Sequence, residues 1–236
     1  MKMITKKTKD INNLDFSLGE VLFIDKEKGF TSFDIIYKIR KLINVKKVGH
    51  AGTLDPAATG LLIICTGKKT KEIYKYQNLE KTYTGIIEIG KSTPSMDGET
   101  EFEIENNFDN VTDEMIEDAR INFVGEILQM PPMYSALKHK GKALYKYARA
   151  GVEVERKERK VFISEFEITQ IDLPEIKFKI RSSKGTYIRA IANDFGNILG
   201  CGAYLKSLRR TAIGEYSVED ALTVDEFRNF FEVSLN

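Results

Sequence analysis

Tryptophan is absent from this 236-residue chain, and cysteine and histidine occur only twice each. Cys65, in an apolar run, and Cys201, between glycines, are too few for a disulfide framework or a zinc site. No apolar run approaches the roughly 18 residues of a membrane-spanning helix, and the lysine-bearing start MKMITKKTKDINNLD lacks the apolar centre of a signal peptide. A cytoplasmic, metal-free protein is expected. A net charge of +1 gives no overall basic excess, so a nucleic-acid partner cannot be read from the total. With 42% hydrophobic and 30% charged residues the composition is that of a globular chain, long enough for one mixed domain with an insertion.

The near-neutral total conceals a segregation of sign. Lys38, Arg40, Lys41, Lys46 and Lys47 occur before His50 without an acid, and Lys138, Lys140, Lys142, Lys146 and Arg149 form a second acid-free block. Between Ser92 and Ala119 the reverse holds: Asp97, Glu99, Glu101, Glu103, Glu105, Asp109, Asp113, Glu114, Glu117 and Asp118 occur with no Lys or Arg. A single block of this kind is ordinarily a solvated helix face. The second basic block also interleaves Tyr134, Tyr145 and Tyr147, a pattern suited to phosphates and exposed bases together, and two such blocks point toward RNA.

The richest stretch is KVGHAGTLDPAATGLLIICTG, Lys47 to Gly67. Gly49 and Gly52 allow backbone angles that other residues avoid, and Pro56 fixes φ just after Asp55. Gly60 opens an apolar run that predicts a buried strand. A stiff turn holding one acid is a candidate site, although an Asp before Pro can also serve only to cap its own turn. TGKKT, after the apolar run, is not a P-loop, because Leu62 stands where its first glycine belongs and Lys69 where its Ser or Thr belongs. No serine lies in a Gly-x-Ser-x-Gly elbow, so Ser/His/Asp catalysis is disfavoured as well.

Around this stretch, GEVLFID predicts a strand from Gly19 to Asp25. Thr31 or Ser32 then caps a helix with Ile35, Ile36, Ile39, Leu42 and Ile43 on its apolar face. Thr82 to Gly90 predicts a strand beginning near Tyr83. Ile176, Phe178 and Ile180 alternate with Lys177, Lys179 and Arg181, which predicts a half-buried strand with a basic outer face. After SSKGTY, the residues Ile188, Ile191, Ala192, Phe195, Ile198 and Leu199 recur at helical spacing until Gly200 and Gly202. Thr223 and Glu226 have capping-box spacing and predict a final short helix. The order is not a βαβ alternation, so an α+β fold around a largely antiparallel sheet is expected. The stretch 129–158, loop-like and basic, is suited to form an arm.

Taken in order, DKEKGFTSFD, VGHAGTLDPAATGLL, KTYTGIIEIGKST, GEILQMPPMYSALKHKGKALYKYARAG, SSKGTYIRAIANDFG and LKSLRRTAIG resemble the bacterial TruB family of tRNA pseudouridine synthases, from Asp25 to Gly214. The resemblance implies the pseudouridine synthase fold and isomerisation of uridine to pseudouridine in the T-loop of tRNA, without a cofactor or an obligatory protein partner. It implies a single catalytic domain over 1–236, with a core of about 19–214 and a thumb at 129–158. As a departure from the many members that carry a C-terminal PUA domain, only about twenty residues follow Gly214, so a short helical tail at 215–236 and no PUA domain are expected. Asp55 is then the catalytic carboxylate, acting as nucleophile or base, and Arg189 the cation that keeps it ionised. The alternative for Arg189 is a surface arginine on the first turn of a helix, an unfavourable place for a cation. Tyr83 is assigned to stacking on the base and to proton movement. His50 and Leu208 are assigned to the flipped nucleotide, Lys26 to the first motif, and Tyr187 to substrate contact. Lys138, Lys140, Lys142 and Arg149 are assigned to the thumb. Lys26 departs from the family pattern, since Glu27 follows it where proline is usual. A synthase acting on another or a guided RNA, and a non-catalytic RNA-binding protein on the same scaffold, remain the competing readings.

Overall fold

In a computed structural model, which describes residues 3–9 and 14–233, the elements follow in chain order. They begin with β1 (Met3–Ile4), β2 (Val21–Lys26), α1 (Ser32–Ile43), β3 (Val48–His50), β4 (Thr59–Thr66), α2 (Ile73–Gln77), β5 (Lys81–Ile89), β6 (Lys91–Ser92), β7 (Ile104–Glu105) and α3 (Asp113–Ile121). Next come β8 (Gly125–Gln129), β9 (Lys138–His139), β10 (Lys142–Ala143), α4 (Leu144–Ala148), β11 (Arg159–Asp172) and β12 (Glu175–Ser182). The chain closes with α5 (Ile188–Leu199), β13 (Ala203–Ile213), β14 (Tyr216–Ser217) and α6 (Val224–Val233). The last three residues of the expected tail, and parts of the lysine-bearing start, lie outside the described residues.

The chain forms two compact units, Met1–Tyr83 with Arg209–Asn236, and Thr84–Leu208. No glycine- or proline-rich linker marks their boundary, because it falls inside β5 and at the β13 residues Leu208 and Arg209.

In the first unit the strand order is β1-β2-β4-β13, with β3 also paired to β4 and β14 to β13. β2 and β4 run antiparallel in the register Phe23↔Ile63, and β13 meets β4 in parallel, Arg210 opposite Gly60. α1 begins where sequence places it. Thr31 caps it, and its hydroxyl accepts from the Asp34 N–H while Asp34 accepts from the Thr31 N–H, a reciprocal capping box. Ile35, Ile36, Ile39 and Ile43 turn inward onto Leu22, Ile24, Leu62 and Ile64, and Phe227 of α6 joins the same core. The Thr223–Glu226 capping box also forms, with N–H to side-chain distances of 2.7 and 3.1 Å.

The second unit carries the order β12-β11-β8, all antiparallel. Ile176, Phe178 and Ile180 of β12 are buried, as their alternation predicts. α5 ends at Gly200, whose φ of +76° makes the left-handed cap. Ile198 differs from expectation: it is 51% exposed, on the outer side of α5, while Ile191, Phe195 and Leu199 fill the interior. Its spacing fits the helix but not the buried arc. Gly49 also departs, since its φ is negative. What it requires is space, because a Cβ there would press on the Ile73 side chain at 2.8 Å.

Candidate active site

In the first unit, Asp55 is half-buried in the turn between β3 and β4. The Ala58 N–H donates to the Asp55 carbonyl at 3.1 Å, and Gly52 enters the turn at φ +112°. The rigidity expected from glycine and proline is the smaller part of what holds this loop, because three buried side chains grip its backbone. Ser32, at the start of α1, accepts from the Leu54 N–H at 2.8 Å and donates to the Leu54 carbonyl at 3.1 Å. Lys26 is 0% exposed, and its Nζ donates to the carbonyls of Phe30 (2.7 Å), Glu27 (2.9 Å) and Pro56 (3.3 Å). Lys26 thus lies beneath the turn with its charge spread over carbonyl oxygens; the structure gives it a bracing position rather than an RNA-facing one.

Arg210 is the third. It is 1% exposed, with Nε donating to the Leu61 carbonyl at 2.7 Å, Nη2 to Gly52 at 3.1 Å and Nη1 3.5 Å from the Thr53 carbonyl. The close approach depends on Gly60, opposite Arg210 in the sheet, where a Cβ would collide with the Arg210 backbone. Tyr83, in β5, is buried. His50, at the end of β3, is held below its ordinary pKa of 6.5, first by burial and then by the Arg210 charge, with the Gly52 backbone opposing. It is therefore neutral at pH 7. Leu208, at the end of the second unit's part of β13, is half-buried.

In the second unit, Arg189 is the second residue of α5 and only 5% exposed, so the surface-arginine alternative does not hold. Its guanidinium donates to the carbonyls of Ser95 and Tyr134, both at 2.9 Å, and meets the buried Asp97 carboxylate at 3.3 Å. Those acceptors offset the cost of a cation at a helix N-terminus. Asp97 and Gln129 are the residues sequence reasoning missed here. Asp97 passes for one more acid in a solvated stretch; the small polar residues around it, Thr93, Ser95 and Thr100, were the available signal. Thr93 and Ser95 both donate to the Asp97 carbonyl, at 2.6 and 3.2 Å. Gln129, buried at the end of β8, accepts from the Tyr187 N–H at 2.8 Å and donates to the Tyr187 carbonyl at 3.0 Å, which pins the residue before α5. Tyr187 itself is half-buried.

Within 129–158 the expected arm has local order. β9 and β10 form a hairpin whose two turn residues, Lys140 (φ +48°) and Gly141 (φ +81°), take the positive angles that a tight hairpin favours. Lys138, Lys140, Lys142 and Arg149 are all exposed. The Lys142 ammonium sits 4.6 Å from the Tyr147 ring centroid, and the Arg149 guanidinium 5.6 Å from that of Tyr145. Cations and aromatic faces are thus presented together, the combination that grips a backbone and its bases. Among the described residues no helix is long and apolar enough to cross a membrane, and no group of three or more His, Cys, Asp or Glu could hold a metal.

Residues 40–188 match the model of the TruB family pseudouridylate synthase N-terminal domain, and residues 189–234 that of the tRNA pseudouridylate synthase B C-terminal domain. Proteins named tRNA pseudouridine synthase B are similar over most of the chain. That of Chloroherpeton thalassium is 50% identical over 213 residues, covering 88% of each chain. That of Parabacteroides distasonis is 44% identical over 225 residues, covering 93% of this chain and 96% of the other. Among solved structures, a Cbf5-Nop10-Gar1 complex superposes with a TM-score of 0.70 at 24% identity, covering 99% of this chain and 65% of that one. An H/ACA RNP bound to a substrate RNA containing 2'-deoxyuridine gives 0.67 at 25% identity, covering 94% of this chain and 57% of that one. This chain therefore spans less than two thirds of those longer chains. The fold, a mixed and largely antiparallel sheet flanked by helices, is the pseudouridine synthase fold, and the family model and the curated relatives define the class of protein as an RNA-modifying isomerase. The chain belongs to the TruB family of pseudouridine synthases.

Proposed function

We propose that this chain converts uridine to pseudouridine at position 55 of the tRNA T-loop, after extruding that nucleotide from the RNA fold. The observation that carries the reading is the Asp55 turn. In a chain of this family, one carboxylate is held in a loop whose backbone is clamped from three sides by Ser32, Lys26 and Arg210. A loop that only capped itself would not need three buried side chains committed to it.

The reaction breaks the bond between ribose C1′ and uracil N1, rotates the base and joins C1′ to C5. C5 loses a proton and N1 gains one, so composition and oxidation state are unchanged and the chemistry calls for no cofactor. Asp55 acts on the nucleotide either by attack as a nucleophile or by removing a sugar proton. Arg189 is the cation that holds it ionised, itself oriented by Asp97 and two carbonyls. Tyr83 stacks on the base and assists proton movement, while His50 and Leu208 attend the extruded nucleotide. Lys138, Lys140, Lys142 and Arg149 hold the phosphates of the T-arm, so affinity falls steeply with salt. The protein works in the cytoplasm, on tRNA, without a protein partner. Purified protein incubated with an unmodified T-arm hairpin and no added cofactor tests this: pseudouridine mapped at the T-loop uridine supports it, and none, or pseudouridine only elsewhere, overturns it.

A further inference from the structure

The root of the arm grips the first turn of α5 at two points. The buried Gln129 amide accepts from the Tyr187 N–H at 2.8 Å and donates to the Tyr187 carbonyl at 3.0 Å, and the Tyr134 carbonyl accepts from Arg189 Nη2 at 2.9 Å. Residues 129–134 and 187–189 thus close a ring. The arm also leaves and rejoins the sheet here: Arg159 is the partner of Gln129 across β8 and β11, and Arg156 Nη1 donates to the Pro131 carbonyl at 3.1 Å. A buried amide is unfavourable unless its oxygen and its nitrogen are both paired, and an apolar side chain would fill the volume without that requirement. Gln129 meets it at a single residue 58 positions away, just before Arg189.

We propose that Gln129 is a positioning residue for pseudouridine formation, setting the first turn of α5, and with it the Arg189 guanidinium, in one frame with the arm that grips RNA. This rests on the function proposed above. The helix needs such a hold because its own sequence does not supply one. Tyr187, its N-cap, makes no side-chain cap, and the third helical position, where a Glu or Gln would reach back to the N-cap N–H, holds Ala190. Gln129 takes over that task from β8. It also ties the Tyr187 carbonyl, which accepts from the Ala190 and Ile191 N–H groups at 3.1 and 3.2 Å as the helix begins. The far end of Arg189 is fixed by Ser95, Tyr134 and Asp97; Gln129 fixes the near end, so the guanidinium is held from both sides. Only an amide can accept from the N–H and donate to the carbonyl of the same residue at once. A carboxylate keeps the first bond and sets a negative oxygen against the carbonyl, and a thioether makes neither bond.

The test uses the full chain with Gln129→Glu and Gln129→Met, beside Ile180→Val as a core truncation outside the ring. With the T-arm hairpin as substrate, both Gln129 variants are expected to lower kcat by about tenfold or more, with KM within about threefold of wild type. Ile180→Val is expected to lower stability in urea while leaving kcat within about twofold of wild type. Independently of activity, the Nε–H resonance of Arg189 in protein labelled with 15N-arginine, assigned by its loss in Arg189→Lys, is expected to shift in both Gln129 variants and to stay in place in Ile180→Val. An unshifted resonance, a change confined to KM, an equal loss of kcat in Ile180→Val, or failure of both Gln129 variants to fold would overturn the proposal and assign Gln129 to the core alone. A wild-type protein that made no pseudouridine would instead remove the functional reading, while the resonance still decides the coupling between Gln129 and Arg189.

Discussion

The two groups of cations in this molecule do opposite things. In the first unit, Lys26, Lys81 and Arg210 are buried and aim their charge at backbone carbonyls; Lys81 donates to Gln77 and Leu79 at 2.6 Å each, and Arg210 to Leu61 at 2.7 Å. In the second, Lys138, Lys140, Lys142 and Arg149 stand in solvent, two of them over tyrosine rings. A buried cation bonded to carbonyls fixes a loop, and its removal leaves acceptors unsatisfied. An exposed cation is free to exchange its counterions for a phosphate, and its removal touches affinity alone. Residue type therefore does not tell the two apart; burial does.

That contrast can be broken or sharpened in order of size. Gly60→Val forces a side chain into the Arg210 backbone at φ +107°, and should destabilise the fold by about 3 kcal/mol or more in urea unfolding. Lys26→Met withdraws the donor from three carbonyls and should cost about 1–3 kcal/mol in the same measurement, whereas a surface lysine would cost almost nothing. The Lys142→Ala, Arg149→Ala double variant should leave stability within about 0.5 kcal/mol while weakening T-arm binding roughly tenfold and flattening the salt dependence of log K by about 1.5. Equal effects on stability from the buried and exposed groups would erase the distinction.

The smallest effect concerns pH. The His50 imidazole is held below 6.5 in the folded protein, so the unfolded chain binds its proton more readily. Its contribution to stability is complete above pH 6.5 and is lost progressively as pH falls through the folded value. Thermal melts of wild type and His50→Asn should therefore run parallel above pH 6.5 and converge or cross below it.

Much of this was legible in the sequence because it is local. The Thr31 cap, the isoleucine stripe of α1, the alternation in β12 and the Gly200 stop of α5 each depend on neighbours a few residues away. β11 was not legible as a strand. It runs 14 residues with register shifts at Ile163/Glu165 and Ile168/Gln170, which break strict alternation, and it carries Glu165 and Glu167 among its apolar residues. The turn around Asp55 was found, but its supports were not. Lys26 to Pro56 spans 30 residues and Arg210 to Gly52 spans 158, and nothing in a lysine or an arginine announces that it will be buried against carbonyls. Arg189 was singled out through the resemblance, while Asp97, at 3.3 Å from it, was hidden among ten acids.

The central claim is that the clamped carboxylate does the chemistry rather than the binding. The direct measurement is single-turnover pseudouridine formation by Asp55→Asn on an unmodified T-arm hairpin, with hairpin affinity measured on the same protein. The account predicts a rate lower by about 10⁴-fold or more with affinity within roughly threefold of wild type. A variant that still forms pseudouridine at a comparable rate would contradict it.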